Sequence, residues 1–313
     1  MPAYDKLIDA ETWAFIEKTN RFYPPDTTDL DIGAQRAIYD RMCRAFFAGY
    51  PDGVSAETTG IEAEGRTIPV RIYGRRDPDN GAVILYFHGG GFILGGLESH
   101  DDVCAELCGR TGYAVVSVDY RLSPEHAHPA AFEDAIAAFA WVSDTYKCRV
   151  VLAGDSAGGN LAAAVAHASR RLATRPAGQV LIYPGLGGDL TRGSYVEHAD
   201  APMLSARNVA YYSEVRAAGQ DVSNDPSFAP LADGDFSGLP PTVAVTAQCD
   251  PLSSDGETYR DSILAAGGKA IWFEEAGLVH GYLRARHSVT RARESFTRIV
   301  EAVRALGKGD WPY

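Results

Sequence analysis

Short runs of β-branched and aromatic residues alternate along the chain with longer stretches of helical spacing. The runs predict strands at residues 68–73, 82–87, 114–119, 149–153, 179–183, 242–247 and 270–273. The stretches between them predict helices at residues 99–108, 131–146, 159–172, 256–266 and 285–306. This alternation indicates βαβ crossovers, so the predicted fold class is α/β, with a mostly parallel central sheet and helices on both faces. Ligands of such a sheet bind at the carboxyl ends of its strands.

Two segments lie outside this alternation. Residues 1–50 carry amphipathic patterns before any strand, and residues 185–225 form an insertion between two strands. We expect residues 1–50 to be amino-terminal cap helices and residues 51–313 to be the main domain, with a cap insertion at about 185–225. The alternative, in which each segment packs separately as surface helix and loop, also fits the sequence.

The composition is that of a globular protein. The 313 residues are 46% hydrophobic and 22% charged, which excludes a disordered or fibrous chain. The net charge of −12 has the wrong sign for binding phosphates, so nucleic acid is not an expected partner. The longest wholly apolar run, residues 135–142, is far short of the ~20 residues that span a bilayer. Because the first residues do not read as a secretory signal and the five cysteines are scattered, we expect a cytoplasmic protein with reduced thiols and no membrane span.

Residues 154–158 read Gly-Asp-Ser-Ala-Gly between a predicted strand and a helix-forming run. A nucleophilic serine needs a strained turn that lifts its hydroxyl out of the sheet, and glycines on either side leave room for that turn. The helix that follows adds free N–H groups and a positive dipole end where an oxyanion would form. The five-residue pattern alone arises by chance, but its place between strand and helix predicts that Ser156 is a nucleophile.

A second glycine-rich run, residues 88–91, reads His-Gly-Gly-Gly directly after another predicted strand. Glycine N–H groups can approach a substrate oxygen closely, so the run indicates an oxyanion hole. A phosphate-binding loop is disfavoured, because Leu94 occupies the place of the final glycine in a dinucleotide motif and no G-x-x-x-x-G-K-[ST] sequence occurs. We expect His88 to orient this loop rather than to act as a base.

A serine nucleophile requires a base, and the base requires an orienting carboxylate. Of the eight histidines, His280 is placed best, in a predicted loop at residues 276–281 between the last strand and the last helix. Asp250 follows the strand at 242–247 and is the favoured acid. Its rival, Asp255, lies at the start of the next helix, where a carboxylate already has a role near the helix dipole. The resulting order of Ser, Asp and His is the one found in α/β-hydrolases.

Several spaced motifs together resemble those of the bacterial hormone-sensitive-lipase-like esterases (family IV, Gly-Asp-Ser-Ala-Gly subgroup) of the α/β-hydrolase superfamily. Besides the two glycine motifs, they are Tyr-Arg-Leu-Ser-Pro-Glu-His at 120–126, Asp-Pro-Leu at 250–252 and His-Gly-Tyr at 280–282. The resemblance covers the chain from about residue 60 onward. Many relatives read Arg-Asp-Glu where this chain has Ser253, Ser254 and Asp255, and the usual Phe is replaced by Tyr282. These departures leave the proposed reacting residues unchanged.

The resemblance implies a definite site. It implies a Ser156–Asp250–His280 triad and a cap built from the two segments outside the βα alternation. It also implies activity on short acyl esters, and it is compatible with a homodimer. The oxyanion N–H groups that it implies are those of Gly89, Gly90 and Ala157.

We therefore predict a serine carboxylesterase whose substrate is a small ester and which needs neither cofactor nor metal. Cys104 and Cys108 are four residues apart but lack a second ligand pair, so core packing explains them better. An amidase or arylformamidase on the same triad is one alternative. A non-catalytic receptor on the esterase fold, like the plant gibberellin receptors, is another, but such proteins lose the catalytic histidine and His280 is present.

The insertion and the loops at the strand ends are expected to form the pocket. The residues expected to line it are Phe92, Met203, Tyr211, Tyr212 and Leu252. Such an apolar and aromatic pocket favours neutral esters over charged ones.

Overall fold

The computed structural model describes residues 2–76 and 81–313, and within them eight strands form one sheet. The strands are β1 (Val54–Ala63), β2 (Arg66–Arg75), β3 (Ala82–Phe87), β4 (Ala114–Val118), β5 (Arg149–Asp155), β6 (Gly178–Ile182), β7 (Thr242–Cys249) and β8 (Ala270–Val279). Their order in space is β1-β2-β4-β3-β5-β6-β7-β8. Strands β3 to β8 pair in parallel, whereas β1 and β2 run antiparallel at one edge. The predicted mostly parallel α/β architecture is confirmed.

Helices cover both faces of this sheet. The α-helices are α1 (Tyr4–Leu7), α2 (Ala10–Phe22), α3 (Ile32–Phe46), α4 (Asp101–Thr111), α5 (Ala130–Tyr146), α6 (Ala157–Ser169), α7 (Ser194–Glu197), α8 (Ala206–Ala217), α9 (Ser253–Ala265) and α10 (Thr290–Lys308). Among the residues that the structure describes, no helix combines the length and the apolar character needed to cross a bilayer.

Strand β3 shows why the apolar runs predicted the sheet so well. All six of its residues are buried. Alternate side chains of a strand point to opposite faces, so Ile84 and Tyr86 join one core cluster with α4 and α10. Val83 and Leu85 join a second cluster with α5, α6 and α9. A strand that is covered on both faces needs an unbroken apolar sequence.

Most predicted boundaries shift by up to three residues, and three differences are larger. Strand β1 was not predicted, because Ile61 is its one fully buried residue and most of its other side chains face solvent. Strand β8 continues to Val279, so residues 276–279 are strand rather than loop and His280 follows the strand directly. The predicted helix at 285–306 is divided into a 3₁₀ turn, Tyr282–Ala285, and α10, which begins at Thr290.

The amino-terminal segment and the insertion contact each other above the carboxyl ends of the strands. Tyr39 and Met42 of α3 form a cluster with Ile93 and Leu94, and Tyr212 of α8 packs against it. This contact brings the two segments together, and the joint cap stays a prediction.

An ion pair fixes α3 to the loop that follows β4. Arg36 forms a bidentate ion pair with Glu125 and also donates to the carbonyl oxygens of Ile93 and Ser123.

The domain boundaries at residues 50, 185 and 225 stay a prediction.

We predict that Gly158→Ala destabilises the fold. Helix α6 approaches β3 so closely that a Cβ on Gly158 would lie 1.9 Å from the Phe87 carbonyl oxygen. Relieving this clash should lower the free energy of unfolding by about 1–3 kcal/mol, measured by urea denaturation. Gly74→Ala is the matched control, because a Cβ on Gly74 meets nothing within 4 Å, and its effect should stay within about 0.5 kcal/mol. Equal effects of the two substitutions would contradict the packing argument.

Candidate active site

Ser156 lies on the sharp turn between β5 and α6. Its φ of 55° and ψ of −117° put a non-glycine residue into a strained region of backbone space. The turn is held from both sides, because Gly154 and Gly158 are too close for side chains: a Cβ on Gly154 would lie 2.4 Å from the Gly158 carbonyl oxygen. The Ser156 N–H donates to the Ile182 carbonyl at 2.9 Å. These contacts lift the Ser156 hydroxyl above the carboxyl edge of the sheet.

A continuous chain of hydrogen bonds joins Ser156, His280 and Asp250. The distance from His280 Nε2 to Ser156 Oγ is 2.9 Å, and the distance from His280 Nδ1 to Asp250 Oδ2 is 2.7 Å. Asp250 is completely buried, and its Oδ1 accepts from the Leu252 N–H at 2.9 Å. The three residues follow β5, β7 and β8, which is why strand ends in the sequence pointed to them. With Nδ1–H donating to the carboxylate, Nε2 is free to accept the serine proton.

The glycine loop differs from the prediction at one residue. The Gly89 N–H donates to Asp155 Oδ1 at 3.1 Å, so it is not available to a substrate oxygen and its predicted place in the oxyanion hole is wrong. Gly90 and Ala157 line the cavity beside Ser156, and so does Gly91, which the sequence analysis missed. Gly91 has a φ of 62°, and a Cβ there would lie 2.6 Å from the Tyr212 ring. Gly91 is the third glycine of the His-Gly-Gly-Gly run, and that position is the sequence signal that could have identified it.

Asp155 ties the glycine loop to the turn that carries Ser156. Besides Gly89, its carboxylate accepts from the Tyr86 hydroxyl at 2.7 Å and lies 3.2 Å from His100 Nε2. Burial raises the pKa of Asp155, but His100 and Tyr86 more than offset this and hold it well below its usual value. The sequence analysis gave His100 no function, and the structure places it as a buried partner of this carboxylate.

His88 supports the loop from below. Its Nδ1 lies 2.8 Å from the Gly89 carbonyl oxygen, and its ring stacks on Tyr120 with the centroids 4.3 Å apart. Burial lowers the pKa of His88 to about 4, so the ring is neutral at physiological pH. This placement agrees with an orienting residue rather than a base.

The site opens into a cavity of about 980 Å³. Of the predicted lining residues, Phe92, Met203, Tyr212 and Leu252 belong to its wall. Tyr211 is not part of this wall; its hydroxyl instead accepts a hydrogen bond from the Gln35 amide at 2.9 Å. The two tyrosines are neighbours on α8, and the helical rotation between them sends only Tyr212 toward Gly91.

Three arginines in the wall were not expected there, Arg207 and Arg216 of α8 and Arg284. Arg216 is 3% exposed, and its guanidinium is sandwiched between the rings of Phe92 at 3.5 Å and Phe228 at 4.2 Å. It donates to the carbonyl oxygens of Phe228 and Ser227. Burial lowers the pKa of Arg216 to about 9. Since α8 was not predicted from the sequence, no signal marked this residue.

No group of three or more His, Cys, Asp or Glu side chains within residues 2–76 and 81–313 is arranged to hold a metal ion. Cys104 and Cys108 are both fully buried in the core cluster on the α4 face of the sheet.

Asp255 lies beneath the triad and is not bonded to His280. Its Oδ2 accepts from the Leu186 N–H at 2.6 Å and from the Tyr195 hydroxyl at 3.0 Å, while Oδ1 is buried without a partner among the described residues. Burial raises the pKa of Asp255 to about 7, and the neighbouring Asp250 carboxylate adds to this. Asp255 therefore holds the 186–188 segment, which is more than the helix-dipole role expected for it.

We predict that Asp255→Asn changes the pH dependence of stability. The folded protein binds the Asp255 proton up to about pH 7, whereas the unfolded chain releases it near the ordinary value of 3.8. The folded state therefore holds more protons between these values, and its free energy of unfolding falls as pH rises. Asparagine keeps the acceptor without titrating, so the variant should gain about 2–4 kcal/mol relative to wild type across this window. Urea denaturation at several pH values measures the difference, with the exposed Asp144→Asn as control. A pH-independent difference would contradict the assignment.

Comparison with known proteins agrees with the geometry. A family model described as the alpha/beta hydrolase fold matches residues 84–284. Esterase LipI of Mycobacterium tuberculosis is 40% identical over 243 residues, which cover 74% of this chain and 75% of that protein. Ethyl acetate hydrolase of Pseudomonas putida is 32% identical, with 97% of each chain covered.

A solved esterase structure has the same fold. The hyperthermophilic esterase from the archaeon Pyrobaculum calidifontis superposes with a TM-score of 0.86 at 33% identity, covering 94% of this chain and 97% of that one. The chain belongs to the hormone-sensitive-lipase-like esterases of the α/β-hydrolase fold and is a carboxylic ester hydrolase.

Proposed function

We propose that this esterase hydrolyses short-chain carboxylic esters through an acyl-enzyme on Ser156. The observation that carries the proposal is the unbroken chain of hydrogen bonds from Ser156 Oγ through His280 to the buried Asp250 carboxylate. A hydroxyl, a base within hydrogen-bond reach and an orienting carboxylate are the parts that nucleophilic acyl transfer needs.

In the first half of the reaction, Ser156 Oγ forms a bond to the ester carbonyl carbon while His280 Nε2 takes its proton. The carbonyl π electrons move to the oxygen, and the N–H groups of Gly90, Gly91 and Ala157 are the donors placed to stabilise that oxyanion. Asp250 stabilises the imidazolium and keeps Nδ1 protonated. Collapse of the intermediate breaks the bond to the alkoxy group, which leaves with the proton from His280.

In the second half, water attacks the acyl-enzyme and His280 again takes a proton. The second tetrahedral intermediate collapses to release the carboxylic acid, and the proton returns to Ser156 Oγ. Nothing in this cycle requires a redox step.

The preference for short chains rests on the shape of the cavity and on one relative. Aromatic side chains of the amino-terminal segment and α8, including Tyr23, Tyr39 and Tyr212, form part of the cavity wall. Because these side chains are bulky, we expect them to limit the acyl chain that fits. The relative named ethyl acetate hydrolase acts on a short ester, which supports the same preference here. The homodimer and the cytoplasmic location suggested by the sequence stay predictions.

We predict that Ser156→Ala lowers kcat for p-nitrophenyl butyrate by about a thousandfold or more, because Ser156 Oγ is the hydroxyl that is hydrogen-bonded to His280 Nε2. Wild-type turnover across p-nitrophenyl esters from acetate to palmitate should peak at the short acyl chains. Ser237→Ala, which changes an exposed serine remote from the triad, is the control and should keep wild-type activity. Residual activity of Ser156→Ala above a tenth of wild type would overturn the proposal.

A further inference from the structure

Arg284 occupies an unusual position in the cavity wall. It lies in the 3₁₀ turn that follows His280, and its Nη2 donates to the Tyr39 hydroxyl at 2.6 Å. The guanidinium also lies over the Tyr39 ring, 5.1 Å from its centroid. Within the described part of the chain, no carboxylate forms an ion pair with Arg284, whereas Arg286, two residues later, pairs with both Asp102 and Glu106.

Much of the hydrogen-bonding capacity of Arg284 is unused. Among the described residues, Nε is buried without an acceptor and Nη1 has no hydrogen-bond partner. Nη1 lies 3.8 Å from the position that a Cβ on Gly281 would take. Because Gly281 directly follows His280 and both line the cavity, Nη1 faces the space next to the catalytic base.

Three tyrosines on the same side of the cavity provide further hydrogen-bond donors. The Tyr39 hydroxyl accepts from Arg284, which leaves its own hydrogen for another acceptor. Tyr23 packs edge-on against Tyr39, and its hydroxyl shares one hydrogen bond of 3.3 Å with that of Tyr212, so one of these two hydrogens is also available. We call these four residues, Tyr23, Tyr39, Tyr212 and Arg284, the Arg284 corner.

The cavity wall also holds three carboxylates, those of Asp26, Asp29 and Asp155, but none of them forms an ion pair with Arg284 among the described residues. Asp155 is the buried one of the three, and its carboxylate is already bonded to Tyr86, Gly89 and His100. A partly buried cation without an ion-pair partner can gain stability from a bound anion.

The remaining arginines of the wall already have partners. Arg216 donates to two carbonyl oxygens and is enclosed by two rings. Arg207, near the outer rim, pairs with Asp29. Arg216 has one buried nitrogen, Nε, without an acceptor among the described residues, whereas Arg284 has two unpaired nitrogens, Nε and Nη1.

We infer that the Arg284 corner binds a carboxylate carried by the substrate, so that the substrate class includes half-esters of dicarboxylic acids. The inference rests on the proposed function and narrows it. Arg284 would determine specificity by contacting the distant carboxylate, whereas the ester group reacts at Ser156. A guanidinium N–H and a neighbouring hydroxyl are donors that match a carboxylate well. The neutral ester expected from the sequence is then a poorer substrate than the anionic one.

The test uses two esters of equal shape. Monoethyl glutarate carries a carboxylate at neutral pH, and ethyl 4-carbamoylbutanoate carries an uncharged amide in its place. The ratio of their kcat/KM values reports recognition of the charge and is unaffected by any general loss of activity. For the wild type, kcat/KM for monoethyl glutarate should be at least equal to kcat/KM for ethyl 4-carbamoylbutanoate. Arg284→Met should lower the ratio about tenfold or more, mainly through KM, and Arg284→Lys should keep part of it.

Arg293→Met is the matched control. It removes one positive charge from the exposed face of α10, so it corrects for the change in net charge, and its ratio should stay within twofold of wild type. The inference is overturned if wild type prefers the amide tenfold, or if the Arg284→Met ratio also stays within twofold.

A binding measurement separates this inference from the proposed function. If neither of these esters nor p-nitrophenyl butyrate is hydrolysed, the proposed function fails, but calorimetric titration of Ser156→Ala with monoethyl glutarate still reports carboxylate binding. Tighter binding of monoethyl glutarate than of the amide supports the Arg284 corner, and equal or weaker binding rejects it. This measurement also decides the question if Arg284→Met does not fold.

Discussion

The carboxylate of Asp155 receives hydrogen bonds from parts of the chain that must stay together for Ser156 to react. Tyr86 reaches it from β3, Gly89 from the glycine loop and His100 from the start of α4. Because Asp155 directly precedes Ser156, these bonds fix the glycine loop relative to the nucleophile. Removing Asp155 would leave several buried donors unsatisfied, which costs more than the bonds themselves contribute. The close approach of α6 to β3 at Gly158 fixes the other side of the same turn.

Charge inside the cavity differs from charge on the whole chain. The protein carries a net charge of −12, yet Arg216 and Arg284 both lie in the wall beside Ser156. Arg216 is stabilised by aromatic rings and carbonyl oxygens and joins α8 to the 227–228 segment. Arg284 is held by the hydroxyl and the ring of Tyr39 and has no ion pair among the described residues. The wall holds Arg207 as well, and its carboxylates are those of Asp26, Asp29 and Asp155, so the formal charges of the wall balance although those of the whole chain do not.

The fold and the triad could be predicted because their signals are local. A strand buried on both faces, such as β3, requires an unbroken apolar run, and residues at strand ends share one edge of the sheet. Strand β1 was not predicted because most of its side chains are exposed. Gly89 was assigned wrongly because the sequence shows where glycines are but not that the N–H of this one is bonded to Asp155. Arg284 could not be foreseen, since the Tyr39 that positions it is 245 residues away.

The central claim is that Ser156 is the residue acylated in turnover. Its most direct test is to inactivate the protein with a p-nitrophenyl phosphonate, which resembles the tetrahedral intermediate and stays on the nucleophile, and to locate the adduct by peptide mass spectrometry. We expect a single adduct on the peptide that contains Ser156, formed in step with the loss of esterase activity. An adduct on another residue that tracks inactivation, with Ser156 unmodified, would contradict the account.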